Sequence, residues 1–254
     1  MSQADDGLND QQLLRYSRQI MLPDVDVAGQ ERLAASHVAI IGLGGLGSPA
    51  SLYLAAAGVG ELTLVDHDVV ELSNLQRQIV HVEARIGQTK VASAKEALMQ
   101  LNPDVKINAR AEKLDEAGLR ALSNSVDVVV DATDNFAVRY AINQACFAAG
   151  TPLVSGAAIR FEGQVVVFDP RDEASPCYQC LYADASDTNL NCAENGVIAP
   201  LVGVIGAHQA MEAIKLITGV GESLVGWVLY YDAKYADWRR FKLVRREDCP
   251  TCGA

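Results

Sequence analysis

Two sets of residues have types and spacing that suit chemistry. The first is a glycine-rich turn, GLGGLGS (42–48), in which Gly42, Gly44 and Gly47 fit G-x-G-x-x-G. Asp66 follows at about the 20-residue spacing of a dinucleotide fold. Such glycines let backbone approach a phosphate, a helix N-terminus attracts it, and the acid bonds a ribose hydroxyl. The pattern predicts an adenine nucleotide without separating NAD from ATP, and a glycine-rich packing turn would look the same. No G-x-x-x-x-G-K-[ST] is present, which excludes a P-loop ATPase. Further along come Asp68, Asn74, Arg77, Lys90, Asp134 and Asn135. Hydride transfer needs little phosphate neutralisation beyond the pyrophosphate. Nucleotidyl transfer needs cations on a triphosphate and a carboxylate for Mg²⁺. Singly, Arg77 and Lys90 read as solvated helix charges and Asp134 as a cap; together with the turn they favour ATP.

The second set is sulfur. Of six cysteines, Cys177 and Cys180 form one C-x-x-C and Cys249 and Cys252 another. Four thiolates so arranged fill the closed tetrahedral shell of structural Zn²⁺, which would anchor the chain end and not catalyse. Disulfides or redox pairs are the competing readings, and a reducing compartment disfavours the former. Cys146, between Ala145 and Phe147, reads as core filling. Cys192 lies in a polar segment without periodicity (182–196), where a spare thiol and a reactive one look alike. His37, His67, His81 and His208 show no metal spacing and read as structural or surface residues. Trp227, Tyr230, Tyr231 and Trp238 read as strand packing.

The elements that must hold these residues are well punctuated. HVAII (37–41) is a short β-branched run, as in a parallel strand buried on both faces. The next helix is expected to be capped by Ser48, with Pro49 in its first turn and Gly58 as its stop. Strands are expected at 61–66, 105–110, 126–132 and 151–156. Helices are expected over 88–101, ended by Asn102-Pro103, and over 135–150. Two helical segments precede them within 9–36. Beyond 157 the alternation weakens: QVVVFDP (164–170), a long apolar helix over about 200–218 stopped by Gly219, then two antiparallel strands. The prediction is α/β: a Rossmann-like, mostly parallel sheet with helices on both faces, extended by C-terminal antiparallel strands and a structural zinc site. One domain over 1–254 is expected, with N-terminal helices (1–36), a nucleotide-binding part (37–156) and a zinc-anchored partner-binding part (157–254).

Composition bounds the function. Half of the 254 residues are hydrophobic, which supports one sizeable core, and the net charge is −11. A polyanion would meet net repulsion, so nucleic acid and anionic membrane are not expected partners. The polar, acidic start carries no secretory signal and no apolar run is long enough to span a bilayer, so a soluble, cytoplasmic protein is expected.

RYSRQIMLP (15–23), GLGGLGSP (42–49), VDHDVVELSNLQRQ (65–78), GQTK (87–90) and DATDN (131–135) resemble the MoeB/ThiF family, bacterial relatives of ubiquitin-activating enzymes. So do CAENGVIAPLVGVIGAHQAMEAIKLITG (192–219) and the closing CPTCG. The likeness runs from about residue 8 to 253 and is greatest to the MoeB branch. It implies that Arg18 reaches the nucleotide of a neighbouring subunit, hence a homodimer. It also implies that Gly44, Gly45 and Asp66 make the phosphate and ribose contacts. Ser73, Asn74, Leu75, Gln76 and Arg77 would line the nucleotide, with Arg77 and Lys90 on the phosphates. Asp134 would associate with Mg²⁺, beside Asn135. Cys192 matches the thioester or persulfide carrier of ThiF and ubiquitin-activating relatives, although in the MoeB branch the adenylate can be the end product. The reaction implied is ATP-dependent adenylation of the C-terminal glycine of a small ubiquitin-like sulfur carrier ending in Gly-Gly. The small subunit of molybdopterin synthase is the expected carrier and the thiamine-biosynthesis carrier the alternative; an NAD-dependent oxidoreductase is the alternative of another class. With no room for a sulfurtransferase domain after Cys252, sulfur is expected from a separate donor.

Overall fold

The computed structural model describes residues 7–183 and 196–253. Cys192 and nearly all of the polar segment before the long helix lie outside the described residues. Five strands, β1 (His37–Ile41), β2 (Glu61–Val65), β3 (Lys106–Arg110), β4 (Val128–Asp131) and β5 (Leu153–Ile159), pair in parallel in the order β3-β2-β1-β4-β5. An antiparallel meander continues the same sheet: β6 (Glu162–Phe168), β7 (Trp227–Asp232) and β8 (Asp237–Lys242). The α/β expectation holds, including the antiparallel extension.

Side-chain alternation along the central strands divides the core in two. Val38, Ile40, Leu62, Leu64, Val128 and Val130 point to one face. There they meet α3 (Asp26–Ala35), α4 (Gly47–Ala57), α5 (Lys90–Leu101) and α9 (Ala199–Thr218). Ala39, Ile41, Val65 and Val129 point to the other, against α6 (Glu116–Ser123), α7 (Phe136–Ala149) and the short α8 (Tyr178–Leu181). Both faces are dry, which is why these strands read as continuous apolar runs. The stripe on α9 is interrupted by polar residues, and no helix among the described residues is long and apolar enough to cross a membrane.

Several boundaries differ from expectation for local reasons. The N-terminal region forms three helices, because α1 (Asp10–Arg15) and α2 (Ser17–Ile20) break at Tyr16, whose ring is buried beneath Gly58. Ser48 is not the cap of α4. That helix starts at Gly47, its cap position is Leu46 without a side-chain hydrogen bond, and Ser48 is buried in the first turn. Helix α6 was not anticipated, although Asp115 caps it through the Gly118 N–H at 2.8 Å. The strand expected at 151–156 runs on to Ile159, because a two-residue hairpin at Arg160 and Phe161 pairs it with β6.

Candidate nucleotide site and zinc centre

β1 and β4 are neighbours whose connections leave in opposite directions, which makes the crevice at their C-terminal ends the expected ligand position in an open sheet. The glycine turn leaves β1 there, and residues 132–135 leave β4 beside it. Gly42 sits at φ +93°, where L side chains are strained, and a Cβ on it would lie 2.7 Å from the Ala132 carbonyl oxygen. A Cβ on Gly47 would lie 1.9 Å from the Gly42 carbonyl oxygen. These two glycines are required by the fold itself. Gly44 differs: its Cβ would meet only Gln78 Nε2 at 3.7 Å. Gly45 lets Val202 of α9 approach to 3.1 Å of the same virtual position.

The turn is braced from below. Asp66 accepts the Leu43 N–H through Oδ2 at 2.7 Å and the Asp68 N–H through Oδ1 at 2.8 Å. The expected ribose acid thus already holds two backbone amides of the site. His81 completes the brace, with Nε2 3.1 Å from the Leu43 carbonyl and Nδ1 2.9 Å from Ser93 Oγ of α5. Burial pushes its pKa down, assisted by the charges of Lys90 and Arg85 and opposed by the Leu43 carbonyl and Asp66. The sequence reading gave His81 only a generic structural role; no local signal shows that its partners are the turn and α5.

The segment after β2 folds over the crevice. Residues Leu72–Asn74 form a single 3₁₀ turn, closed by the Glu71 N–H donating to Asn74 Oδ1 at 3.1 Å. Asn74 is buried, Leu75 and Arg77 are half-buried, and Ser73 and Gln76 are exposed. Arg77 donates to the Ser73 carbonyl at 3.0 Å. Lys90 opens α5 and its ammonium bonds Asp68 Oδ2 at 2.8 Å. Burial works against ionised Asp68, but the Lys90 hydrogen bond and charge leave its pKa below the usual carboxylate value. Across the crevice Asp134 is exposed and lines a cavity of about 190 Å³ with Phe136, Arg139, Gln164, Tyr182 and Tyr230. Asn135 caps α7 by accepting the Val138 N–H at 3.0 Å. Arg18 is not brought to this crevice by a described contact. It is exposed on α2, whose neighbour Gln19 is tied to the Ala57 carbonyl, at the opposite end of α4 from the glycine turn.

The four expected metal cysteines converge. Their sulfurs all lie within 4.8 Å of one another. Three separations are 4.0 Å (Cys177–Cys180), 3.5 Å (Cys177–Cys249) and 3.3 Å (Cys180–Cys252). Tetrahedral zinc with Zn–S bonds of about 2.3 Å needs sulfurs about 3.8 Å apart, so the set fits with small adjustment. Donors suited to thiolates surround it. The Arg246 N–H lies 3.4 Å from Cys180 Sγ, and the buried Asn143 Nδ2, without another partner, neighbours Cys177. Burial opposes the Cys249 thiolate, but backbone N–H groups of Cys252 and Thr251 outweigh it and bring its pKa down to about 7. Burial pushes Cys177 up to about 11. Cys146, 1% exposed in α7, is core as expected.

Residues 16–251 match the family model described as the ThiF family. The chain is 53% identical over 246 residues to the molybdopterin-synthase adenylyltransferase of Escherichia coli strain K12, covering 97% of this chain and 98% of that one. It is 47% identical over 246 residues to the sulfur carrier protein ThiS adenylyltransferase of the same strain, covering 97% of each. Among solved structures, E. coli MccB with ATP superposes with a TM-score of 0.83 at 25% identity, over 94% of this chain and 75% of that one. With strand order, glycine turn and cysteine cluster all in agreement, the chain belongs to the ThiF family.

Proposed function

We propose that this protein transfers the adenylyl group of ATP to the C-terminal carboxylate of a small ubiquitin-like sulfur carrier ending in Gly-Gly. The carrier favoured is the small subunit of molybdopterin synthase, in molybdenum cofactor biosynthesis. The observation that carries this reading is the 53% identity, spanning nearly both chains, to a molybdopterin-synthase adenylyltransferase. We read 1–254 as one adenylation unit.

In the reaction a carboxylate oxygen of the carrier attacks the α-phosphorus of ATP. The new C–O–P linkage forms as the bond to the β-phosphate oxygen breaks and pyrophosphate leaves. Both reactants are anionic, so the barrier is lowered mainly by cations and by alignment. Positioning in favourable cases contributes roughly 7–11 kcal/mol. The uncapped N-terminus of α4, behind Gly44 and Gly45, offers N–H groups to phosphate oxygens. Arg77 and Lys90 supply the positive charge, and Lys90 must exchange Asp68 for phosphate. Asp66 keeps the turn in shape and offers its carboxylate edge to the ribose. Ser73, Asn74, Leu75 and Gln76 form the wall of the nucleotide, and Asn135 fixes the loop that presents Asp134. Asp134 has the hard oxygen donors that Mg²⁺ takes, and the ion supplies charge neutralisation on the triphosphate. Arg18 acts in a homodimer, on the site of the neighbouring subunit. Cys177, Cys180, Cys249 and Cys252 hold a structural Zn²⁺. Cys192, outside the described residues, is a candidate sulfur or thioester carrier that adenylation itself does not need. Sulfur comes from a separate donor, and the setting is the cytoplasm.

ATP–pyrophosphate exchange, run with each carrier separately and with a carrier lacking its Gly-Gly, tests the reading. Exchange with the intact molybdopterin-synthase subunit alone is expected, and Asp134→Ala should remove it while leaving the fold intact. Exchange only with the thiamine carrier, whose adenylyltransferase is 47% identical, would keep the chemistry and change the partner. No exchange with either would overturn the proposal.

A further inference from the structure

Helix α7 places Arg139 and Asn143 one turn apart on one face, below the loop that carries Asp134. Arg139 is 7% exposed and its guanidinium joins three segments. Nε donates to the Thr133 carbonyl at 3.1 Å, and Nη2 donates to the same carbonyl and to Gly156 O of β5 at 3.2 Å. Nη1 lies 3.4 Å from the Tyr178 hydroxyl. The charge is balanced by buried Asp131 at 3.9 Å, whose own oxygens accept from Thr133 and Ser155. Thr133 directly precedes Asp134, and Tyr178 directly follows Cys177. Asn143 reinforces the second link: its Oδ1 accepts the Tyr178 N–H at 2.8 Å, and its Nδ2 neighbours the Cys177 sulfur. The Tyr178 ring is fully buried against Phe168 and Tyr140 with edge contacts at 6.1 and 5.6 Å between centroids. A planar fork with every arm engaged passes a displacement at one partner to the others.

We propose that Arg139 is a positioning residue for adenylation, fixing the Asp134 loop to the first cysteine knuckle so that nucleotide binding and zinc retention are linked. The inference rests on the adenylation reading and deepens it. Linkage is reciprocal: if an assembled zinc centre favours the competent Asp134 loop, bound nucleotide must favour the assembled centre. Arg139 commits its guanidinium to Thr133, Gly156 and Tyr178, so it acts on bound nucleotide through these partners.

The test is the rate at which zinc-loaded protein yields its metal to excess pyridylazoresorcinol, with and without Mg·ATP. Wild-type release is expected to slow about fivefold or more when nucleotide is bound, the lower end of usual coupling. In Arg139→Lys, which keeps charge but loses the fork, that protection should fall below about twofold. Its exchange kcat should drop, and by the same reciprocity the affinity of the zinc-loaded variant for ATP should fall by up to about fivefold. If Arg139→Lys does not fold, Tyr178→Phe, which removes only the hydroxyl link, decides by the same readout. Calorimetry showing ATP bound to wild type with no effect on zinc release would overturn this proposal alone. So would equal protection in wild type and variant. No ATP binding at all would overturn the adenylation reading together with it.

Discussion

Gly44→Ala and Gly47→Ala, two residues of one motif, should fail in opposite ways. At Gly47 the added Cβ lies 1.9 Å from the Gly42 carbonyl oxygen, a backbone atom that no rotamer change can remove. Relief requires more than 1 Å of backbone movement between β1 and α4, beyond ordinary overpacking of about 1–3 kcal/mol, so about 3–5 kcal/mol is expected. For a chain of this size that is a fall in Tm of roughly 6–20 °C. At Gly44 the added Cβ meets only a side-chain nitrogen at 3.7 Å, and the backbone is not in the left-handed region. Its stability should stay within about 0.5 kcal/mol of wild type. On the adenylation reading this is where phosphate presses against backbone, and a methyl group there should cost about 1–3 kcal/mol of binding. That is roughly 5- to 150-fold in the Kd for ATP. Thermal melting paired with ATP titration calorimetry reads both quantities. Unchanged ATP affinity in Gly44→Ala would refute the assignment of this turn to phosphate, and a large fall in its Tm would refute the packing argument.

Lys90→Met should alter stability by about 1 kcal/mol or less, because Asp68 is 52% exposed, while pyrophosphate exchange falls about 100-fold or more. Melting with exchange assays checks this; loss of stability with the rate intact would contradict the phosphate role. His81 is held neutral, with its pKa depressed below the ordinary 6.5 chiefly by burial. Below that value the unfolded chain takes up a proton that folded His81 resists. Its contribution is therefore intact above pH 6.5 and declines as pH falls toward the lowered folded value. Urea midpoints measured from about pH 8 to about pH 5 should show this decline, and His81→Gln should flatten it. Cys249→Ser should lower zinc content from about one per chain to none by metal analysis. Retention of stoichiometric zinc by that variant would remove Cys249 from the ligand set.

The fold was legible wherever short-range chemistry dictates it. HVAII coincides with β1 residue for residue, and Gly58, Gly150 and Gly219 each end a helix in the left-handed conformation. The cysteine knuckles were legible because C-x-x-C leaves few uses for two thiols. Helix α6 is not legible because its eight residues, although Leu119, Leu122 and Ser123 keep helical spacing, fall short of the window over which a period is read. Arg139 and Asn143 were missed for a different reason. Their partners Thr133, Gly156 and Tyr178 come from three separate segments, and a basic or amide residue inside a helix pattern gives no sign that it faces inward.

A motif therefore marks a place without dividing the labour within it. The glycine pattern treats Gly42, Gly44 and Gly47 alike, yet two of them are demanded by backbone within 3 Å and the third is not. The acid expected on the ribose, Asp66, spends both oxygens on amides of the site, whereas Asp134, equally an acid at a strand end, faces a cavity. On the proposed reading, Asp66 keeps the turn in shape, while Asp134 would hold the Mg²⁺ that offsets the charge of the triphosphate. An assay of activity alone would score their substitutions the same. Stability separates them: removing Asp66 leaves the buried Leu43 N–H without its acceptor, at about 1–3 kcal/mol, and frees the part-buried Asp68 N–H, whereas exposed Asp134 accepts no hydrogen bond among the described residues. Substitution by Ala should accordingly cost stability at Asp66 and only turnover at Asp134.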